Sequence, residues 1–246
     1  YRAYYAIMMR STCYVMPTNA IYGFISMLNK IIKEERPDYL AVAFDLKGPT
    51  FRHKAYEQYK IQRKPMPDDL ISQMPAIKDV VRAYNVPIFE MQGYEADDVL
   101  ATIARRLAKE GVEIFIVTGD KDALQLVDKN IKIYNTHKEG EIYDAAVVKE
   151  RFGVSPERIM DFIALAGDQS DNIPGIKGIG EKGAVELLTQ FGSLDEIYRR
   201  LDEIKSKAKA ALLAEYKKDA ELSKGLAELD SNVPIKFELE DLKLQT

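Results

Sequence analysis

Three short apolar runs set among helix-patterned segments constrain this chain more than any other feature. Tyr39-Leu40-Ala41-Val42-Ala43-Phe44 is continuously apolar and ends at Asp45, as a strand buried on both faces reads. Val86–Met91 and Val112–Thr118 repeat the pattern. Asn19–Glu35 carries Ile21, Phe24, Ile25, Leu28, Ile31 and Ile32 at helical spacing. Ala96–Lys109 sets Val99, Leu100, Ile103, Ala104 and Leu107 on one helical face. Strands alternating with helices predict an α/β sheet with helical crossovers.

Two stretches break this rhythm. Residues 46–67 are rich in Lys, Arg and Tyr, close on Pro65-Met66-Pro67 and carry no strand signal. They read as an insertion over the carboxyl ends of the strands, helical in part. After Phe152 the strand signals fade, and helices with Gly-rich turns run to about Asp230. A domain boundary is expected near residue 150, with a short extended segment in the tail Val233–Leu244. No apolar run approaches the ~18 residues of a membrane span. One Cys and two His exclude an internal disulfide and a Cys-rich zinc site and argue against a His-rich one, so a metal here would be held by oxygen. The 35 Lys+Arg against 39 Asp+Glu argue against a generic basic nucleic-acid binder, unless the acids are segregated.

They are segregated. Asp45 follows the first apolar run; Glu95, Asp97 and Asp98 open the helix at Ala96. Asp120 and Asp122 follow the strand ending at Thr118, and Asp168 and Asp171 lie in Gly167-Asp168-Gln169-Ser170-Asp171-Asn172. Ligand sites of open α/β sheets lie beyond the carboxyl ends of the strands. Carboxylates gathered there repel unless cations sit among them, and a hard divalent ion takes such oxygens together with substrate phosphate. Two ions could activate a water and stabilise the leaving oxygen of a phosphodiester. Any one cluster alone is also explained by helix capping, since acids in a first turn complement the helix dipole.

Ile173-Pro174-Gly175-Ile176-Lys177-Gly178-Ile179-Gly180-Glu181-Lys182 is the most specific local signal. Its glycines before a helix let backbone N–H groups approach an anion, and the spacing is that of a helix-hairpin-helix, which grips backbone phosphates without reading bases. A plain helix–helix turn would need one glycine. Phe51-Arg52-His53-Lys54-Ala55-Tyr56-Glu57-Gln58-Tyr59-Lys60-Ile61-Gln62-Arg63-Lys64 interleaves cations with aromatics, which suits stacking on bases and holding phosphates, though a solvated amphipathic helix looks similar.

Five stretches, Phe44–Arg52, Tyr59–Pro65, Gly93–Asp98, Thr118–Asp122 and Gly167–Gly175, resemble in order the motifs of the 5′-nuclease domains of bacterial DNA polymerases I, members of the flap endonuclease superfamily. The resemblance implies a central, mostly parallel sheet flanked by helices, with a helical arch insertion and a C-terminal helix-hairpin-helix region. It divides the chain into a 1–150 nuclease core, arch at 46–67, and a 151–246 DNA-binding region with the hairpin at 173–191. It implies Mg²⁺-dependent hydrolysis of phosphodiesters near 5′ ends and at 5′ flaps, with two ions for which Mn²⁺ can substitute, as in RNA primer removal and DNA repair.

By the same resemblance Asp45, Glu95 and Asp97 match ligands of the first metal, and Asp98, Asp120, Asp122, Asp168 and Asp171 the remaining acids. Lys60 and Arg63 match arch residues that stabilise the scissile phosphate, with Tyr59 as a stacking surface. Gly178 and Gly180, with Lys177 and Lys182, match the hairpin that holds duplex, often with a monovalent cation such as K⁺; Arg2 and Arg52 match basic positions along the substrate path. Implied partners are DNA with a 5′ flap or 5′ end, RNA–DNA primer junctions and a polymerase in the same native chain, within a monomer of the bacterial cytoplasm. The family's first strand, ending in Asp-Gly, is expected before Tyr1; a chain lacking it would be a DNA-binding module without turnover. Met8–Met16 and Gln62 also depart from the family pattern.

Overall fold

The computed structural model describes residues 11–12, 16–136 and 140–245. In chain order it contains β1 Ser11–Thr12, β2 Met16–Pro17, α1 Asn19–Lys30, β3 Val42–Ala43, α2 Phe51–Ala55, α3 Asp68–Ala83, β4 Ile88–Phe89, α4 Ala96–Lys109, β5 Ile114–Thr118, β6 Ile131–Asn135 and β7 Glu141–Tyr143. The rest is helical: α5 Ala145–Phe152, α6 Ile159–Ala166, α7 Glu181–Phe191, α8 Leu194–Arg199, α9 Lys207–Glu215 and α10 Lys217–Ala227. The class is mixed α/β with a helical C-terminal region.

Two compact units emerge. The first comprises the described residues up to Asp45, Lys64–Met91 and the segment from Pro234. In it Ala20, Leu70 and Ile77 form a small core, with Phe24 and Phe44 packed against it. The buried Gln73 of α3 accepts from the N–H groups of Ala20 (2.9 Å) and Ile21 (3.2 Å), supplying partners that a helix start lacks on its own. Strands β3 and β4 pair in parallel, Val42 with Ile88. The helix expected over Asn19–Glu35 changes to a π turn at Ile31–Glu35, which ends on Arg36 in the left-handed region. The tail contributes an isolated antiparallel bridge, Tyr39 with Lys243.

The second unit, Leu46–Arg63 with Gln92–Val233, holds the large core. Strand β5 pairs in parallel with β6, and β6 antiparallel with β7. Sequence reading did not anticipate the β6–β7 hairpin, and the described strands lie in three small sheets. Helix α6 is apolar nearly all round, so it is buried all round, with α7 and α10 packed on it. Fully burying side chains such as Ile163 and Leu165 stabilises by about 1.5–3 kcal/mol each. Its Asp161 is tolerated there because Lys224 (2.8 Å) and the N–H of Leu194 (3.2 Å) satisfy it.

Candidate metal and nucleic-acid site

Strand β5 ends at Thr118, whose hydroxyl accepts from the Asp120 N–H at 3.0 Å. Asp120 in turn accepts from the Asp122 N–H at 3.1 Å. A 3₁₀ turn begins at Asp122, and its apolar Ala123, Leu124 and Leu126 are buried. They draw Asp122 inward to 8% exposure, with Oδ1 left without a hydrogen-bond partner. Burial first, then the charges of Asp120, Asp171 and Asp168, push its carboxyl well above the usual aspartate range, opposed by Lys121.

A second acid loop follows α6. Gly167 has φ +74°, and a Cβ on it would lie 2.7 Å from the Ile173 carbonyl oxygen. Gly175 has φ +61°, and a Cβ there would lie 2.3 Å from the Gly167 nitrogen. Glycine at both positions lets the loop close on itself, and Asp168 and Ile173 exchange backbone hydrogen bonds at 2.9 and 2.8 Å. Asp168 accepts from the Ser170 N–H (2.8 Å) and hydroxyl (2.7 Å) and lies 3.2 Å from the Lys121 ammonium. Burial would raise its pKa, but these donors hold it below the usual value.

The cation-rich segment folds onto these acids. Lys60 Nζ lies 2.8 Å from Glu95 Oε1 and 3.4 Å from Asp171 Oδ2, and Arg63 pairs with Asp171 Oδ1. The Tyr59 hydroxyl donates to Glu95 at 3.3 Å and Asp171 at 3.4 Å. The Lys60 N–H donates to the Asp171 carbonyl, and the Asn172 amide to the Gln58 carbonyl, so the segment is fixed by main chain as well. Burial lowers the Lys60 pKa, yet Glu95 and Asp171 outweigh it and the ammonium is held charged. Glu95, Asp171, Asp120, Asp122 and Asp168 thus share one charge neighbourhood. Among the described residues no three acidic, His or Cys side chains are drawn tightly enough to hold an ion.

Three site residues occupy places other than those expected. Tyr59 is 3% exposed, and the two carboxylates claim its hydroxyl, so it offers no open stacking face. Arg52 is 1% exposed and pairs with Asp98 (2.7 and 2.8 Å) instead of lining a substrate path. Asp98 is fully buried in that pair. The physical reason is common to all three: buried carboxylates recruit the nearest N–H and O–H donors. Asp97, half-buried in the first turn of α4, has an interaction of its own. Asp45 lies two residues beyond the end of β3 in the first unit. Arg2 lies outside the described residues.

At the hairpin Ile173, Ile176 and Ile179 are buried, whereas Lys177, Gly178, Gly180 and Lys182 are exposed. Gly178 needs its glycine (φ +87°); Gly180, the cap of α7, has an ordinary φ of −93° and open space where a Cβ would stand. Sequence reading missed Lys121 as the partner of Asp168. It also missed Gln125, which donates to the Asp122 carbonyl at 2.8 Å. Lys121 was legible, lying between two acids; Gln125 carried no signal.

The donor chemistry fits a hard divalent cation. Every candidate ligand is a carboxylate, and the partnerless Asp122 oxygen beside three other acids lacks the charge that would satisfy it.

Residues 1–153 match the family model of the 5′-3′ exonuclease N-terminal resolvase-like domain, and residues 154–246 that of its C-terminal SAM fold. The chain is 47% identical over 248 residues to DNA polymerase I of Caldicellulosiruptor bescii, covering 99% of this chain and 29% of that protein. It is 41% identical over 245 residues to the 5′-3′ exonuclease of Aquifex aeolicus, covering 100% of this chain and 83% of that one. The flap endonuclease of bacteriophage T5, solved as a pseudo-enzyme–product complex with DNA and metal ions, shares the fold: TM-score 0.72, 19% identity, 84% of this chain and 80% of that one covered.

Proposed function

The chain belongs to the 5′-3′ exonuclease family, and on that premise we propose that it is a structure-specific 5′ nuclease cutting phosphodiesters near 5′ ends and at 5′ flaps. The observation that carries this reading is the orphaned, buried Asp122 oxygen amid Asp120, Asp168 and Asp171. Asp97, Asp120, Asp122, Asp168, Asp171 and Glu95 are the residues proposed to hold divalent cations, Mg²⁺ or Mn²⁺. Two such ions supply an activated water and stabilisation of the leaving oxygen.

The chain's own residues do the rest. Lys60 and Arg63, tethered to Glu95 and Asp171, are the donors a phosphodiester meets on entering, and they exchange carboxylate for phosphate oxygens as charge develops there. Tyr59 holds Glu95 and Asp171 at a fixed separation through one hydroxyl. Lys177 and Lys182, with the exposed backbone at Gly178 and Gly180, hold duplex phosphates, and K⁺ is the monovalent ion proposed there. The inferred partner is DNA with a 5′ flap or end, RNA–DNA primer junctions included. A polymerase in the same native chain is proposed from the DNA polymerase I relative, of which this chain spans 29%, and a bacterial cytoplasmic setting from the family resemblance alone.

The test is a labelled 5′-flapped duplex incubated with the protein and Mg²⁺. Cleavage at the flap base that stops on chelation is expected. Tight binding without turnover at any Mg²⁺ or Mn²⁺ concentration would sink the reading.

A further inference from the structure

The Arg52–Asp98 pair closes a buried network that reaches well beyond an ion pair. The guanidinium has five N–H bonds, and each finds an acceptor. Nε donates to the Leu226 carbonyl (2.9 Å). Nη1 donates to Asp98 Oδ2 (2.8 Å) and Glu95 Oε2 (3.5 Å). Nη2 donates to Asp98 Oδ1 (2.7 Å) and the Glu228 carbonyl (2.5 Å).

Asp98 is equally saturated. Each of its oxygens takes one bond from Arg52 and one from a backbone N–H: Glu95 at 3.0 Å and Asp230 at 2.9 Å. A carboxylate with four donors and no exposure has no lone pair to offer an ion. A guanidinium with five acceptors has no donor left for phosphate.

What the pair joins is informative. Glu95 caps α4, and α10 ends at Ala227, from where residues 228–230 run on as an extended strap, so residues 226–230 span the helix end and the strap. The same strap is held by Gln125, which donates to the Ala227 carbonyl (2.9 Å) and accepts from the Leu229 N–H (3.0 Å) while also donating to the Asp122 carbonyl. Thr102 accepts from the Val233 N–H at 3.0 Å. Both acid-bearing turns, at Glu95 and at Asp122, are therefore anchored to one strap by buried side chains.

We propose that Arg52 and Asp98 are positioning residues of the nuclease site, fixing the Glu95 carboxylate and the start of α4 against the end of α10 and the strap that follows it, and that neither contacts ion or DNA. This rests on the nuclease reading above. Groups that orient ligands in this way typically change metal affinity or activity 10–100-fold when altered.

The experiment measures single-turnover flap cleavage across a Mg²⁺ titration, together with DNA affinity, for wild type, Arg52→Lys, Asp98→Asn and the double variant Arg52→Met/Asp98→Leu. Both single variants should cleave at least tenfold more slowly at saturating Mg²⁺, with DNA affinity within about twofold of wild type and any rise in half-saturating Mg²⁺ shared by the two. Arg52→Lys should retain more rate than Asp98→Asn, since an ammonium keeps the charge but offers three donors for five acceptors. A tenfold rise in the Mg²⁺ requirement of Asp98→Asn that Arg52→Lys does not share would make Asp98 a ligand and overturn the proposal. Weakened DNA binding at unchanged rate in Arg52→Lys would make Arg52 a phosphate contact and do the same.

Should the single variants fail to fold, the double variant decides, because removing both charges together leaves neither uncompensated. It should fold and still cleave slowly; cleavage at the wild-type rate overturns the proposal. Absence of cleavage in wild type tells against the nuclease reading alone. Amide exchange then reads the network directly: in the double variant the Glu95 and Asp230 N–H groups should lose protection together, and wild-type protection at both would overturn it.

Discussion

The ammonium of Lys60 rests 2.8 Å from Oε1 of Glu95, two largely buried charges that satisfy each other where a divalent ion is proposed to compete. Replacing Lys60 with Met removes a charge-assisted hydrogen bond, and the metal-free protein should lose about 1.5–3 kcal/mol at neutral pH. Thermal melts should show Mg²⁺ restoring much of that loss. Flap cleavage should fall about 10²–10³-fold at saturating Mg²⁺, with DNA affinity nearly unchanged, because the cation acts on charge that develops in the transition state. Equal losses of binding and rate would give Lys60 a ground-state role instead.

Asp122 sets a pH dependence of unusual sign for an aspartate. Its folded carboxyl is raised above the unfolded value, so the stability tied to its neutral form is fully present below the unfolded pKa of about 4. It is lost as pH rises through the folded value. This group should therefore lower the melting temperature of metal-free protein at pH 8 relative to pH 5, and Mg²⁺ should raise the melting temperature more at pH 8. Asp122→Asn should raise the metal-free melting temperature at pH 8, flatten the Mg²⁺ effect and abolish cleavage. A lower melting temperature in that variant would refute the sign.

Gly175 offers a test of the second acid loop that involves no charge. Gly175→Ala places a methyl where the Gly167 backbone stands, at a φ that disfavours any side chain. Destabilisation of about 2–4 kcal/mol is expected from unfolding curves, since backbone has no room to yield. A loss below about 1 kcal/mol would mean the loop reopens easily and does not hold Asp168 and Asp171 in place.

The sequence made the elements legible where period and punctuation agreed. Ala96–Lys109 forms the helix its apolar face specifies, and Val112–Thr118 contains β5. The hairpin β6–β7 was hidden because Lys132 interrupts the apolar residues of Ile131–Asn135 and Glu141–Tyr143 is only three residues long, so neither repeats the continuous apolar run that marks β5. The acids were legible as a set, but not their division of labour. Asp97 and Asp98 are neighbours with the same side chain, and only the fold turns one into a buried partner of Arg52 at the far end of a 46-residue separation. Arg52 and Lys60 likewise share a basic stretch, yet one is taken up mainly by Asp98 and main-chain carbonyls and the other by Glu95 and Asp171. Gln73 and Gln125 gave no signal at all, since an amide that satisfies backbone groups is defined wholly by what surrounds it.

Gly180 separates the fold from the partner at the hairpin. Its φ is ordinary and a Cβ meets no atom within 4 Å, so Gly180→Ala should leave stability within about 0.5 kcal/mol of wild type. If duplex phosphate approaches that backbone, the methyl should weaken DNA binding several-fold by titration at fixed salt. Lys177→Ala and Lys182→Ala should each reduce the slope of log affinity against log salt by about 0.9, the change expected when one fewer phosphate is neutralised. The catalytic rate at saturating DNA should stay unchanged in all three, because none touches the acid loops. Unaltered affinity in Gly180→Ala together with an unaltered salt slope in both lysine variants would remove the hairpin from the DNA interface.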